Sequence, residues 1–215
     1  MLIKLRDTNL VRSKMTLISI EGNIGSGKST LVNKIREKYS HVVIIDEPVE
    51  EWASICDTDG TTILEKYYGD QERWAFAFQM MAFITRVRRL SNIPSDKIVI
   101  TERSVFTDKA IFAKMLYDSK KISEIEYKIY LKWFDEFAST IQIDHIIYMK
   151  TPPEVCYERV ISRGRQGESI PLEYLQDCHK YHEDWLANEP NENVIENPCD
   201  NCIDKLLSSG ANKFI

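Results

Sequence analysis

The chain is 215 residues long, with 43% hydrophobic and 28% charged residues and a formal net charge of −5 at pH 7. This length holds one α/β domain with a full core and is short for two. The acidic balance argues against a nucleic-acid polymer or an anionic membrane surface as partner, and no apolar run approaches a bilayer span, so a phosphate-bearing ligand must be met by locally placed Arg and Lys.

Residues 1–15 read as a leader; MLIKLRDTNLVRSK holds four basic residues and one acid, short and poor in Ser for a transit peptide. The first strand is predicted over 16–22 (TLISIEG) and runs into a full G-x-x-x-x-G-K-[ST] match: Gly22, Asn23, Ile24, Gly25, Ser26, Gly27, Lys28 and Ser29, followed by Thr30. The glycines let the backbone wrap a phosphate chain with its N–H groups inward, and the helix predicted at about 27–39 adds the positive end of its dipole. Lys28 is expected to bridge the β- and γ-phosphates and Ser29 to ligate Mg²⁺. The donor is thus a nucleoside triphosphate with magnesium; the motif alone does not separate a kinase from a hydrolase.

The second strand, 41–47 (HVVIIDE), ends in Asp46-Glu47-Pro48. Pro48 keeps the preceding residue extended, and a Glu of ordinary pKa, about 4.3, is ionised near neutrality. Glu47 is therefore expected to orient an acceptor hydroxyl and take its proton, late in a loose phosphoryl-transfer transition state. A capping role for the next helix would suit Asp46 better. After a helix at about 70–92, the third strand, 97–103 (KIVITER), ends in Glu102-Arg103-Ser104. Arg103 is expected to reach the transferring phosphate or the acceptor oxygen, and Glu102 to hold the Mg²⁺ water shell. A surface ion pair is the bland alternative.

Helices at about 107–117 and 122–138 precede a fourth strand at 144–150 (DHIIYMK), and a helix at 153–163 follows it. Arg159 and Arg163 share a face at i, i+4, with Arg165 two residues on. With the polar loop beyond, they read as a lid over about 159–170 that neutralises charge on the triphosphate and excludes water. A helix at 171–187, a fifth strand at 193–197 (NVIEN) and a last helix near 200–209 complete the chain.

Near-continuous apolar, β-branched runs mark strands buried on both faces. The strand–helix alternation predicts an α/β, doubly wound, parallel five-stranded sheet with helices on both faces. Residues 16–215 form one expected domain, and ligands collect at the carboxyl ends of its strands. The odd set Cys56, Cys156, Cys178, Cys199 and Cys202 has no framework spacing and suggests free thiols in a reducing compartment. Cys199-x-x-Cys202 lacks the partner pair of a zinc site, and His179 and His182 read as packing residues.

The segments EGNIGSGKST, DEPVEEW, ERWAFAFQ, ERSVFTD, TPPEVCYERVISRGR and IPLEYLQDCHKYHEDWL stand in the order seen in the deoxynucleoside kinase family, which the chain resembles over about 16–210. The resemblance narrows the α/β sheet to the P-loop kinase fold and implies transfer of the γ-phosphoryl of ATP to the 5′-hydroxyl of a deoxynucleoside. It also implies a homodimer built through long helices, 70–92 and 122–138. Position by position, Glu47 matches the general base, Arg103 the arginine beside the 5′-oxygen and Trp52 an aromatic wall. Leu64 lines the pocket, Tyr68 meets the sugar 3′-hydroxyl, Gln79 reads the base edge, and Phe78 or Phe112 flanks it.

An amide offers both donor and acceptor, so Gln79 suits cytosine, adenine or guanine by flipping. Arg86 lies two turns after Gln79 on the same face, and Asp108 is expected to begin the helix after Ser104. In the family, an arginine and an aspartate there accompany deoxycytidine and purine deoxynucleoside kinases, and Ala82 resembles the deoxycytidine kinase pattern. Thymidine-preferring relatives have smaller or apolar residues at these positions.

The chain also departs from the family. RGRQGESIPL is one residue shorter than the usual lid and has one glutamate, Glu168, assigned to the 3′-hydroxyl. Phe106 stands where a tyrosine is common, and residues 197–201 contain no arginine to stack on a donor base, which leaves donor preference open. Thymidine-preferring or multisubstrate action, a nucleoside monophosphate kinase and a catalytically silent assembly subunit are the alternatives. The expected compartment is cytoplasmic, with a mitochondrial one left open.

Overall fold

The computed structural model describes residues 15–91, 93, 97–165, 167–190, 194–197, 200, 203–205 and 207. The expected leader, Cys199, Cys202 and much of the helix expected near 200–209 lie outside these residues. Five parallel strands, β1 (Thr16–Glu21), β2 (Val43–Ile45), β3 (Ile98–Glu102), β4 (His145–Tyr148) and β5 (Val194–Glu196), form one sheet in the order β2-β3-β1-β4-β5. The chain starts in the middle at β1, moves out to β2, returns to β3, then crosses to β4 and β5. That reversal at β1 opens a crevice above its carboxyl end, where open α/β sheets bind ligands.

Alternation along the strands decides which face each side chain fills. Ile18, Ile20, Ile98, Ile100 and Ile147 pack under α1 (Lys28–Lys38), against its Leu31, Val32 and Ile35. Ile146 and Tyr148 point the other way and meet Leu186 of α9 (Leu172–Leu186). On that second side α4 (Gln71–Leu90) and α7 (Glu124–Phe137) contribute Phe83, Tyr130 and Phe134 to a further apolar cluster. The registers Ile45↔Thr101, Ile20↔Glu102 and Glu21↔Tyr148 end four strands at nearly one level. Glu47, Arg103 and Gly22 therefore emerge side by side.

Two short helices occupy a stretch for which no helix was predicted: α2 (Val49–Ala53) and α3 (Ile63–Gly69). They are too short to show an apolar period. The start of α3 was nonetheless written as T-x-x-E: Glu65 N donates to Thr62 Oγ1 at 3.2 Å, and Thr62 N donates back to Glu65 Oε2 at 2.8 Å. Asp46 caps nothing; α2 follows Pro48, and Asp46 pairs with Arg36 at 2.5 Å.

The helix expected at 107–117 also differs. It starts earlier, as α5 (Val105–Thr107) capped by Ser104, becomes a π-helical turn over Asp108–Ala113, and continues as α6 (Lys114–Asp118). Asp108 thus opens the π turn and does not begin the helix. The extra residue in such a turn re-aims the side chains around it, here Asp108 and Phe112, both buried. Farther along the chain, α8 (Pro153–Arg163) ends at Gly164 in the left-handed conformation. Among the described residues no helix is long and apolar enough to cross a membrane.

Candidate active site

A cavity of about 890 Å³ lies above the carboxyl ends of the strands. One side of it is the loop between β1 and α1. Lys28 is 4% exposed and donates to the carbonyls of Gly22 at 3.1 Å and Asn23 at 2.8 Å, so its ammonium sits inside the curl of the loop. Burial, reinforced by the Arg103 charge, lowers its pKa to about 8, against the pull of Glu102, Glu47 and Glu21. Asn23 anchors the loop by donating to the Leu175 carbonyl at 2.8 Å, and Thr151 Oγ1 donates to the Ser26 carbonyl at 3.1 Å. Ile24, Gly25, Gly27, Ser29 and Thr30 line the cavity, while the Ser26 hydroxyl is buried without a hydrogen-bond partner.

Gly25 has φ +82°, and a Cβ on it would stand 2.5 Å from the Cys156 carbonyl oxygen on α8. Backbone on both sides leaves nothing to give way. Gly25→Ala is expected to displace the loop and lower kcat/KM for the phosphoryl donor about 100-fold, with far-UV circular dichroism unchanged. Wild-type steady-state kinetics in this variant would refute the tight approach as a requirement.

The arginines of α8 reach the same loop. Arg159 Nη1 donates to the carbonyls of Gly25 and Ser26, both at 3.3 Å. Arg163 and Arg165 line the cavity but pair with Glu168, at 2.5 and 3.7 Å. At the mouth of the loop, Ser29 Oγ donates to Glu102 Oε1 at 2.9 Å. These are hard oxygen donors of the kind that suit Mg²⁺.

Opposite the loop stands a buried charge network. Glu47 Oε1 accepts from Arg86 Nη2 at 2.6 Å and from Arg103 Nη1 at 2.7 Å. Burial by itself would raise the Glu47 pKa, but the charges of Arg103, Arg86 and Lys28 outweigh it and hold the carboxyl well below the usual range. Arg86 also donates through Nε to Asp108 Oδ1 at 3.1 Å and through Nη1 to the Glu102 carbonyl at 3.0 Å. Burial, only partly offset by Arg86, pushes the Asp108 carboxyl up to about 6. Arg103 adopts φ 60°, a left-handed conformation that costs a non-glycine residue about 1–2 kcal/mol. Its N–H, donating to the Ile20 carbonyl at 3.0 Å, and the Phe112 ring 5.2 Å from its guanidinium hold it there.

The remaining wall is aromatic. Trp52 Nε1 donates to Thr85 Oγ1 at 3.0 Å, Phe78 meets the indole edge-on at 5.4 Å, and the Arg86 guanidinium lies 5.4 Å from the same ring. Gln79 is 2% exposed, and its Oε1 has no hydrogen-bond partner. Leu64, Tyr68, Ala82 and Phe112 complete the lining, and burial raises the Tyr68 phenol well above its ordinary pKa.

Every residue singled out in the sequence for donor or acceptor thus lies on or beside one cavity. Three neighbours were not foreseen. Tyr67 stacks on Phe78 at 4.6 Å, bonds Tyr174 hydroxyl to hydroxyl at 2.8 Å, and shares the cavity wall with Tyr174. Thr85 sets the Trp52 ring. Tyr67 had a cue, being adjacent to Tyr68; Thr85 and Tyr174 had none, because their roles arise from contacts distant in sequence. His182 is fully buried with Nδ1 against the Cys178 carbonyl at 2.6 Å, and among the described residues no three His, Cys, Asp or Glu side chains are clustered to hold a metal.

A phosphate loop and an aromatic pocket joined by one carboxylate–arginine network suit phosphoryl transfer to a small ring-bearing acceptor. The family model for deoxynucleoside kinases matches residues 18–209. The chain is 41% identical over 203 residues to a probable deoxycytidine kinase of fowlpox virus (strain NVSL), covering 92% of this chain and 82% of that one. It is 36% identical over 200 residues to deoxycytidine kinase of Homo sapiens, covering 82% and 77%. To the mitochondrial deoxyguanosine kinase of Xenopus laevis it is 33% identical over 215 residues, covering 88% and 81%. With its P-loop fold, its cavity and these relatives in agreement, the chain belongs to the deoxynucleoside kinase family.

Proposed function

We propose that this deoxynucleoside kinase transfers the γ-phosphoryl of ATP to the 5′-hydroxyl of deoxycytidine and of purine deoxynucleosides. The observation that carries the reading is Glu47, held between Arg86 and Arg103 and facing the phosphate loop across one cavity. Loop amides from Gly22 to Thr30 take the donor phosphates, Lys28 meets the β- and γ-oxygens, and Arg159, Arg163 and Arg165 neutralise the charge that develops. Ser29 and Glu102 fit as the residues holding Mg²⁺, which when bound spreads the charge of the β- and γ-phosphates.

Both arginine bonds use Glu47 Oε1, which leaves Oε2 for the 5′-hydroxyl. A carboxylate with so low a pKa is a weak base, so it orients the hydroxyl first and takes the proton late. Arg103 sits beside the oxygen that attacks. Trp52, Phe78 and Phe112 enclose the base, Gln79 reads its edge, and Leu64 and Ala82 set the space. Tyr68 and Glu168 take the sugar 3′-hydroxyl. Asp108 lines the cavity with its carboxylate paired to Arg86, Nε lying 3.0 Å from Oδ2 and 3.1 Å from Oδ1; an exocyclic amine on cytosine or adenine can share that carboxylate, whereas the thymine carbonyl would be repelled by it.

The test is acceptor-dependent ADP release with MgATP over deoxycytidine, deoxyadenosine, deoxyguanosine, thymidine and the matching monophosphates. Turnover of deoxycytidine or the purines is the expected result. Turnover with monophosphates alone would replace the reading with a nucleotide kinase, and silence throughout would leave an assembly role.

The same reading includes a homodimer of one kinase domain per chain, residues 16–215 with the lid over about 159–170. Support comes from a stripe on α7: Ile125, Ile129, Trp133 and Phe137 recur every four residues and are 72%, 41%, 43% and 37% exposed, with Ile84 of α4 at 42%. Such a stripe on a helix asks for a partner. Trp133→Glu is expected to halve the mass measured by light scattering; an unchanged mass would refute this face. The free thiols of Cys56, Cys156 and Cys178 agree with a reducing, cytoplasmic setting.

A further inference from the structure

One turn joins the donor and acceptor halves of the cavity. The Glu168 side chain is 7% exposed; its Oε2 accepts from Arg163 Nη2 at 2.5 Å, and Arg165 Nη1 lies 3.7 Å from Oε1. Both arginines line the cavity together with Gly25 and Lys28. Each therefore has two claims on its charge, the Glu168 carboxylate and any anion held by the phosphate loop. Beside Glu168, Gly167 has φ +76°, and a Cβ on it would stand 2.4 Å from Glu65 Cγ and 3.4 Å from Glu65 N. Glu65 closes the first turn of α3, the helix that brings Leu64 and Tyr68 to the cavity. The carboxylate is thus seated against the acceptor side while its counter-ions belong to the donor side.

We propose that Gly167 and Glu65 are positioning residues whose contact seats Glu168 between the sugar and the lid arginines, so that donor and acceptor strengthen each other's binding. The proposal rests on the acceptor reading above. A buried carboxylate is costly without a partner. Triphosphate at the loop draws Arg163 and Arg165 off Glu168; the carboxylate, still held against α3, then takes its hydrogen bond from the sugar hydroxyl. In the reverse order the sugar satisfies Glu168 and releases the arginines to the phosphates. Linkage requires the two effects to be equal.

The test is calorimetric titration of deoxycytidine, with and without a saturating non-hydrolysable ATP analogue and Mg²⁺. In the wild-type enzyme the analogue is expected to tighten deoxycytidine about 10-fold. Gly167→Ala, which forces the turn off α3, should reduce that factor below about 2-fold, by the same linkage. Glu168→Gln, which keeps the volume and the hydrogen-bonding oxygen but not the charge, should do the same. Glu65→Ala combined with Gly167→Ala removes the Glu65 Cγ and Cδ that the added Cβ would strike and should recover part of the lost coupling, an outcome that a general folding defect would not give. No coupling in the wild type, or wild-type coupling in Gly167→Ala or Glu168→Gln, overturns the proposal while leaving the acceptor assignment intact. Absence of heat with every deoxynucleoside removes the acceptor assignment and the proposal with it.

Discussion

Glu47→Gln is expected to lower kcat by about 10²–10⁴-fold while changing acceptor affinity only a few-fold. Glutamine keeps the shape and an oxygen for the Arg86 and Arg103 donors, which now reach Glu47 Oε1 at 2.6 and 2.7 Å. What it loses is the charge that aligns the 5′-hydroxyl and the capacity to accept its proton. Steady-state kinetics alongside equilibrium binding of deoxycytidine would separate the two effects. A kcat within 10-fold of wild type would remove Glu47 from the base role.

The pH profile gives a second view of the same network. The Glu47 carboxyl is held well below the usual range, so it stays ionised from neutral pH far into the acidic range. Its contribution to stability is present above its ordinary value of 4.5 and lost only as pH falls below that toward the depressed folded value. Asp108 has the opposite sign. Raised from 3.8 to about 6, it favours the folded state while protonated, and that contribution fades as pH rises through about 6. An inflection in kcat/KM for deoxycytidine near pH 6 would therefore report Asp108, and it should vanish in Asp108→Asn.

The second large effect concerns Arg86. Replacing it by Met alone is expected to cost about 3–5 kcal/mol of stability near pH 7, the usual result of leaving a buried charge without its partner. Arg86 is 6% exposed and donates to Glu47, Asp108 and the Glu102 carbonyl; Glu47 keeps its bond from Arg103, but the buried Asp108 carboxylate loses its cation. The loss should shrink at pH 5, where Asp108 takes up a proton and no longer needs a cation. Adding Asp108→Ala should restore most of the stability at pH 7, because the orphaned charge goes with it. The double variant should also shift acceptor preference toward thymidine, since the pocket gains space and loses the carboxylate that repels the thymine carbonyl. Urea unfolding at pH 5 and pH 7 and the ratio of kcat/KM for thymidine and deoxycytidine would check both halves. Equal stability of Arg86→Met and the double variant would show that the two residues are not coupled.

Much of the fold was legible because its signals are local. All five strands were apolar, β-branched runs, and all five appear within a few residues of their expected bounds. The phosphate loop was equally plain, since a backbone that wraps phosphate needs glycine at fixed spacing. The charged pairs at the ends of β2 and β3 were readable once the strands were known to be parallel, because parallel strands bring their carboxyl ends to one edge. The stretch around α2 and α3 was not, for helices of five and seven residues leave no period to detect. The π turn at Asp108–Ala113 also escaped, as nothing local distinguishes one extra residue in a helical run.

By itself, then, the sequence determined the strand–helix alternation, the phosphate loop and which residue types would meet at the sheet edge. The tertiary structure decided how those residues are paired. Glu47 lies 56 positions from Arg103 and 39 from Arg86, yet one carboxylate oxygen serves both. Thr85 fixes Trp52 from 33 residues away, and Gly167 meets Glu65 across about half the chain. Hydrogen-bond geometry and desolvation act through space over a few ångströms, so such partnerships exist only once the sheet has brought distant segments together.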